Sequence, residues 1–591
     1  MSEDDGMVKL TRRGFLGAAG AVAVPGWAQS VSAGIAAPLP TVAGEAITLT
    51  VAHQMMQVDG RAMHGIGING SVPAPLIRLR QGQTARLTVD NRLDEETSLH
   101  WHGLLVPFQM DGVPGISFPG IPARSRFTYE FPVIQAGTYW YHSHSGLQEQ
   151  MGLYGPIVID PEEADPVAFD REHVIVLSDH SAMHPHAIFA RLKAQGGYFN
   201  YQKQTLAGLI AGRDQSAGER WMWGGMRMDP SDVSDVTGST YTYLVNGHGP
   251  ADNWTALFSR GERVRLRIVN ASAMTIFNVR IPGLKLTVVQ ADGQDVRPVA
   301  VDEFQIAVAE TYDVIVEPDA AMAYTLVAEA WDRSGMARAT LAPRVGMAAA
   351  VPALRRRPLA TMKDMGMGMD HAASAAPCAP EHAAMGHCAG GNGAGGHGAP
   401  APMRHAMRDF ANAPELPRTP TVQTVAPMPV DRTGEPPQGL ADAGHRVLVY
   451  RDLVALGRNP DVRVPSRALR IHLTGNMERY MWAFDGVKLN KVKAPIPFRH
   501  GERVRVTLVN DTMMAHPIHL HGHFFELVTG HGDHAPRKHT VNVAPGGTVT
   551  FDLTADAVGD WAFHCHLLYH MHAGMMQVVT VRHDATMEHG A

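Results

Sequence analysis

The sequence predicts an all-β protein of several barrel- or sandwich-like domains, and three observations predict it. One strand pattern recurs three times, as Gly82-Gln-Thr-Ala-Arg-Leu-Thr-Val-Asp-Asn91, Gly261-Glu-Arg-Val-Arg-Leu-Arg-Ile-Val-Asn270 and Gly501-Glu-Arg-Val-Arg-Val-Thr-Leu-Val-Asn510. Each copy sets a glycine turn before alternating aliphatic and polar residues, the period of a strand with one buried face. Frequent turn formers, 59 Gly and 40 Pro, separate short segments of this kind, as β-sandwiches and barrels require. Long amphipathic helical stretches are scarce.

At roughly 150 residues per domain, 591 residues make about four domain-sized units. Residues 1–40 are not part of the fold. Thr11-Arg12-Arg13-Gly14-Phe15-Leu16 opens an apolar stretch to Val24, shorter than the roughly 20 residues that span a bilayer. Small-residue cleavage options lie between Ala28 and Ala37. This is the pattern of a removable twin-arginine signal. It predicts the twin-arginine export machinery as a partner, a periplasmic location and a mature chain without a membrane span.

The repeats begin 179 and then 240 residues apart, so 61 extra residues precede the third. They fall between about Gly346 and Gly444, where regular patterning fails. Met362 to Met407 holds seven Met and five His among Gly, Ala and Pro, with Cys378 and Cys388. Such low-complexity composition suits metal binding and predicts no packed core. The expected organisation is therefore β-domains at 41–162, 165–345 and 440–583, with a Met/His-rich linker at 346–439.

Composition excludes other classes. Lys plus Arg is 51 against 57 Asp plus Glu, a net charge of −6, too mild for nucleic-acid binding. Three cysteines exclude a disulfide framework. The unusual counts are 32 His and 31 Met. Imidazole and thioether are ligands for borderline and soft transition metals, which puts copper first.

Four His-x-His pairs follow: His100-Trp-His102, His142-Ser-His144, His519-Leu-His521 and His564-Cys-His566. On a strand, residues i and i+2 share a face, so each pair presents two imidazoles side by side. The pairs also repeat in register. His100-Trp-His-Gly103 matches His519-Leu-His-Gly522, and Gly137-Thr-Tyr-Trp-Tyr-His142 matches Gly559-Asp-Trp-Ala-Phe-His564. The first and third domains thus carry equivalent half-sites, and eight imidazoles meeting between them suit a three-metal cluster. The second domain keeps the strand repeat without a His-x-His pair and reads as a spacer.

Cys565 belongs to a second set. His570 and Met575 follow it at five and ten residues, and His516 opens His516-Pro-Ile-His519. Two His, one Cys and a weak thioether make a blue-copper site. On a strand Cys565 points opposite to His564 and His566, so one short covalent path joins the two sets.

With these motifs the chain resembles the multicopper oxidases over nearly its whole mature length, and within them the periplasmic copper-resistance protein A group. The resemblance implies three cupredoxin-like Greek-key domains and four coppers per chain. It would place type 1 copper on His516, Cys565, His570 and Met575, and type 2 on His100 and His519. The type 3 pair would fall to His102, His142, His144, His521, His564 and His566. It implies one-electron oxidation at type 1, transfer through Cys565, and four-electron reduction of O2 to water. Asp111 matches a family carboxylate credited with proton delivery. A second acid found in some relatives is replaced here by Tyr569.

The reductant expected is Cu(I), and the chain is expected to act as a monomer. Asp511, Met513 and Met514 run almost into His516 and are candidate Cu(I) ligands. Cuprous oxidases in the family place their carboxylate one residue later, where Thr512 stands. A laccase-like oxidase of small phenols and a copper-sequestering protein are the alternatives. Cys378 and Cys388 fit either a disulfide or further Cu(I) ligands. His180, His184 and His186 have ligand chemistry for a metal but read better as surface histidines, and the sequons at Asn270 and Asn510 as without consequence.

Overall fold

The computed structural model describes residues 37–367 and 410–583. The predicted signal (1–40) lies almost wholly outside the described residues, as do Cys378, Cys388 and the stretch 368–409. The architecture is all-β, built from three double-sheet domains in a row. Helices are few and short, among them Pro185–Ala194, Ala217–Gly225 and Leu568–Ala573.

The three repeats are equivalent strands, Thr84–Asn91, Val264–Asn270 and Arg503–Asn510. Each lies inside its sheet, parallel to the strand that opens the domain and antiparallel to a later one. The preceding glycines adopt φ of +88°, +82° and +78°, a left-handed turn conformation that only glycine takes without steric cost. Each strand ends on a buried asparagine with one structural task. Asn91, Asn270 and Asn510 donate Nδ2 to carbonyls of two later segments, and each Oδ1 accepts the backbone N–H two residues on. The sequon residues Asn270 and Asn510 are therefore interior loop clamps, 0% exposed.

The middle copy departs from the half-buried pattern, because Val264–Asn270 is buried on both faces. Its polar face carries Arg265 and Arg267, which converge on Asp313 at 2.7 and 2.8 Å. Thr138 of the first domain bonds both Asp313 and Arg267 at 3.0 Å. The first domain covers that face, so guanidinium charge is buried only with carboxylate partners, as desolvation requires.

The linker expectation is corrected in its two arms. Residues 346–367 and 410–439 lack regular sheet but pack closely. Arg355 pairs with Glu303 and Glu329, Ala360 N donates to Pro230 O at 2.7 Å, and Val430–Asp431 adds to the third domain's sheet. Ala413, Leu416, Val422 and Val425 form a small core of their own. Periodicity missed these arms because they are held by individual hydrogen bonds and ion pairs, which leave no repeating signal.

Candidate metal centre

The two half-sites are built alike. His100 pairs with His142 across neighbouring strands in the first domain, and His519 pairs with His564 in the third. The domains meet so that the rings interleave, with His100 and His521 centroids 3.9 Å apart and His102 and His519 3.8 Å apart. Donor atoms converge within 4.8 Å in the groups His102/His142/His566, His144/His521/His564 and His100/His102/His519.

The outward nitrogen of most rings is fixed by the backbone or a polar side chain. His100 Nδ1 lies 2.7 Å from Asp111 O, and His519 Nδ1 lies 2.7 Å from His539 O. His564 Nδ1 faces Cys565 O at 3.0 Å, and His142 Nδ1 faces Glu149 Oε2 at 2.7 Å. His102 turns Nε2 to Thr540 Oγ1 at 3.2 Å. Asp111 bridges the domains, its Oδ2 3.0 Å from His521 Nδ1. Such partners set tautomer and ring orientation around a metal.

The inward nitrogens decide whether copper fits. His100 Nε2, His102 Nδ1, His142 Nε2, His144 Nε2, His519 Nε2 and His566 Nε2 are all buried without a hydrogen-bond partner. His521 Nε2 and His564 Nε2 point at one another, 3.0 Å apart. Burial and the neighbouring imidazoles hold His102, His142, His144, His519 and His521 well below the usual histidine pKa. Neutral rings with unpartnered inward lone pairs are the ligand form of histidine, and leaving them bare costs free energy.

The second set hangs on the end of the strand Gly559–Cys565. Cys565 turns away from its two flanking histidines, its Sγ 3.6 Å from His516 Nδ1 and 3.9 Å from His570 Nδ1. The chain then makes one short helix, Leu568–Ala573, and reverses at Gly574 (φ +126°), where a Cβ would meet Lys488 and the Trp482 carbonyl. Met575 N returns to His570 O at 3.0 Å, and Cys565 N donates to Met575 O at 3.1 Å. This reversal brings residues five and ten positions beyond the cysteine back beside it. Burial pushes the Cys565 thiol pKa up, so the sulfur loses its proton only to a cation.

Three partners of this set are not legible in the sequence. Asp235, from the second domain, lies 2.7 Å from His570 Nε2 and also accepts from Tyr480 OH at 2.7 Å. The second domain is thus more than a spacer, although nothing in Asp232-Val-Ser-Asp235 distinguishes the second acid from a loop aspartate. Thr512 Oγ1 stands 2.8 Å from His516 Nε2. Trp482 stacks on His570 at 3.9 Å.

The candidate substrate residues separate. Met513 lines a cleft of about 490 Å³, together with Thr512, Met228 and Met477. Met514 packs in the main core. Asp511 faces away from the cleft lining: its Oδ2 is 2.6 Å from His472 Nδ1 and its Oδ1 accepts from Ala426 N. These residues lie in the bend between the strands Arg503–Asn510 and His516–Leu520, where the turning backbone sends their side chains in different directions. Tyr569 is buried, with its hydroxyl 3.4 Å from Gln150 Oε1.

Profiles described as multicopper oxidase match residues 50–164, 171–351 and 463–585, more than half of the chain. The chain belongs to the multicopper oxidase family. Copper is accordingly the cofactor of this multicopper oxidase, an oxidoreductase that uses O2 as acceptor. It is 49% identical to the copper resistance protein A homolog of Pseudomonas syringae pv. tomato, over 91% of this chain and 93% of that protein. It is 45% identical to copper resistance protein A of Escherichia coli, over 97% and 100%. Among solved structures, Fet3p, a multicopper oxidase that functions in iron import, superposes with a TM-score of 0.61 at 18% identity, covering 91% of this chain and 90% of Fet3p. That likeness shows the fold.

Proposed function

We propose that this multicopper oxidase oxidises Cu(I) to Cu(II) with O2 as acceptor, in periplasmic copper resistance. The observation that carries this reading is the cleft beside His516. Met513 on its wall belongs to a cluster with Trp223, Met226, Met228, Met362, Met365, Met367 and Met477. Thioethers prefer a soft monovalent ion. Asp229 and Asp232 line the same cleft, and none of the described residues lining it is aromatic, which disfavours a phenol. Burial, with Asp235 and Asp229 close by, raises Asp232 to about 7, a carboxyl that a bound cation would ionise. The named relatives of Pseudomonas syringae and Escherichia coli agree with a role in copper resistance.

His516, Cys565, His570 and Met575 would hold type 1 copper, His100 and His519 type 2, and the remaining six histidines the type 3 pair. When bound, copper supplies one-electron acceptance from the reductant and four-electron reduction of O2. The protein's part is to hold and exclude. Thr512 and Asp235 fix the two type 1 imidazoles through their outer nitrogens, leaving both Nδ1 atoms beside the Cys565 sulfur. Trp482 keeps water off His570. Asp111 touches a histidine from each half-site, which supports proton delivery by its carboxylate during the O2 reduction that copper would supply. The twin-arginine route accounts for the periplasmic assignment, and no described helix is long and apolar enough to cross a membrane.

The test is aerobic turnover with Cu(I) and with a phenol, under matched copper loading, for wild type and Met477→Ala/Met513→Ala. The variant should raise KM for Cu(I) and leave phenol oxidation in place. Equal loss of both would overturn the substrate assignment.

A further inference from the structure

A second group of histidines lies on the first-domain hairpin and the first strand of the second domain. The hairpin of Ala46–Val58 and Arg61–Ile68 carries His53 and His64, with ring centroids 5.0 Å apart and planes tilted by 33°. His516 and His570, which flank Cys565, are 5.1 Å apart, so the hairpin pair has the spacing of two imidazoles serving one ion. Among the described residues, neither ring is hydrogen-bonded.

Behind them, His180 ends the strand Arg171–His180 of the second domain. It is not the surface residue the sequence suggested. It is 2% exposed, and neither ring nitrogen has a hydrogen-bond partner. Burying an imidazole with both nitrogens unsatisfied is unfavourable unless something else binds them. Burial, with His64 close by, lowers His180 to about 4, so the ring is neutral and able to ligate.

His53 and His64 line a cleft of about 590 Å³ together with His184 and His186, and His180 lies behind it, close to His64. Asp94, Glu95 and Glu96 also line it, which favours cations. Its wall includes His144 of the central set. The cleft thus brings carboxylates, the hairpin imidazoles and a residue of the cluster onto one lining.

We propose that His53, His64 and His180 form an accessory site for a borderline divalent cation, Cu(II) being its occupant, at the outer end of the cleft that leads to His144. A set of three neutral imidazoles selects such ions over hard Mg(II) and Ca(II). The choice of Cu(II) rests on the proposed oxidation of Cu(I), which makes that ion nearby; the site itself rests on the geometry alone.

The experiment is equilibrium dialysis of the full-length, copper-loaded protein against Cu(II), counting bound copper and recording its EPR spectrum. Wild type should bind one more Cu(II) than His53→Ala/His64→Ala, and that ion should show nitrogen hyperfine structure. Both substituted residues are exposed, so the fold and the blue absorption should persist. His180→Ala should lower the affinity for the same ion, and a crystal soaked in Cu(II) should show anomalous density between the three rings. Residues 368–409 are common to all samples, so copper bound there cancels. Equal stoichiometry and identical spectra in wild type and variants would overturn the proposal. The readout involves no turnover, so failure of the Cu(I) substrate reading would leave it standing.

Discussion

His142-Ser143-His144 and His564-Cys565-His566 occupy the same place in two copies of one domain, and they differ in the middle residue. Both pairs send their histidines to the shared centre. Ser143 Oγ then donates to Gln148 Oε1 at 2.9 Å and accepts from Ser145 N at 3.0 Å, locking a turn. Cys565 instead faces His516 and His570. One half-site closes onto its own loop, while the other reaches a second set of candidate ligands. A serine-to-cysteine difference of one atom thus separates a residue that locks a turn from one that faces two further imidazoles.

The sharpest way to break this comparison is to make the third domain resemble the first. Cys565→Ser should abolish blue absorption and O2 uptake together; a protein that stays blue would refute the type 1 assignment. Asp111→Asn acts on the seam between the half-sites and should slow O2 reduction about 100-fold, a typical loss for a proton donor. Copper content should stay at four, and unchanged reoxidation in a single turnover would remove Asp111 from proton delivery. Asp235→Asn touches only the third-domain set. It should cost about 10-fold in turnover or type 1 copper retention, as outer partners of ligands do, and should shift the visible band. An unaltered band would show that His570 is held by Trp482 alone. Deleting 368–409 while keeping the packed Met362, Met365 and Met367 should reduce Cu(I) oxidation a few-fold and spare phenol oxidation. Equal loss would end the proposed role of that stretch. The mildest test is Ser143→Ala, expected to cost about 1 kcal/mol of stability in thermal unfolding with the blue band intact.

Much of this was legible because ligand chemistry and strand period are local properties. His-x-His at matched positions, and Cys565 with His570 and Met575 downstream, needed no knowledge of the tertiary fold. The three glycine-led strands disclosed the domain repeat for the same reason. Contacts made across domains were hidden. Asp235 reaches His570 over 335 positions of chain, and neither residue's neighbours mark the pairing. Asp511 looked like a ligand because sequence proximity to Met513 was taken for spatial proximity, whereas its carboxylate is occupied by His472. His180 looked like a surface residue because one-dimensional pattern cannot show that a second domain covers it. The arms 346–367 and 410–439 escaped because they are fixed by single bonds to partners chosen one at a time.

His102 and Thr540 touch across 438 positions, and Asp111 and His521 across 410. The candidate metal centre therefore joins the first and third domains of the described chain. A ligand that binds only the assembled state adds to its stability by mass action, so chelation should unbuckle the outer two domains before either one melts.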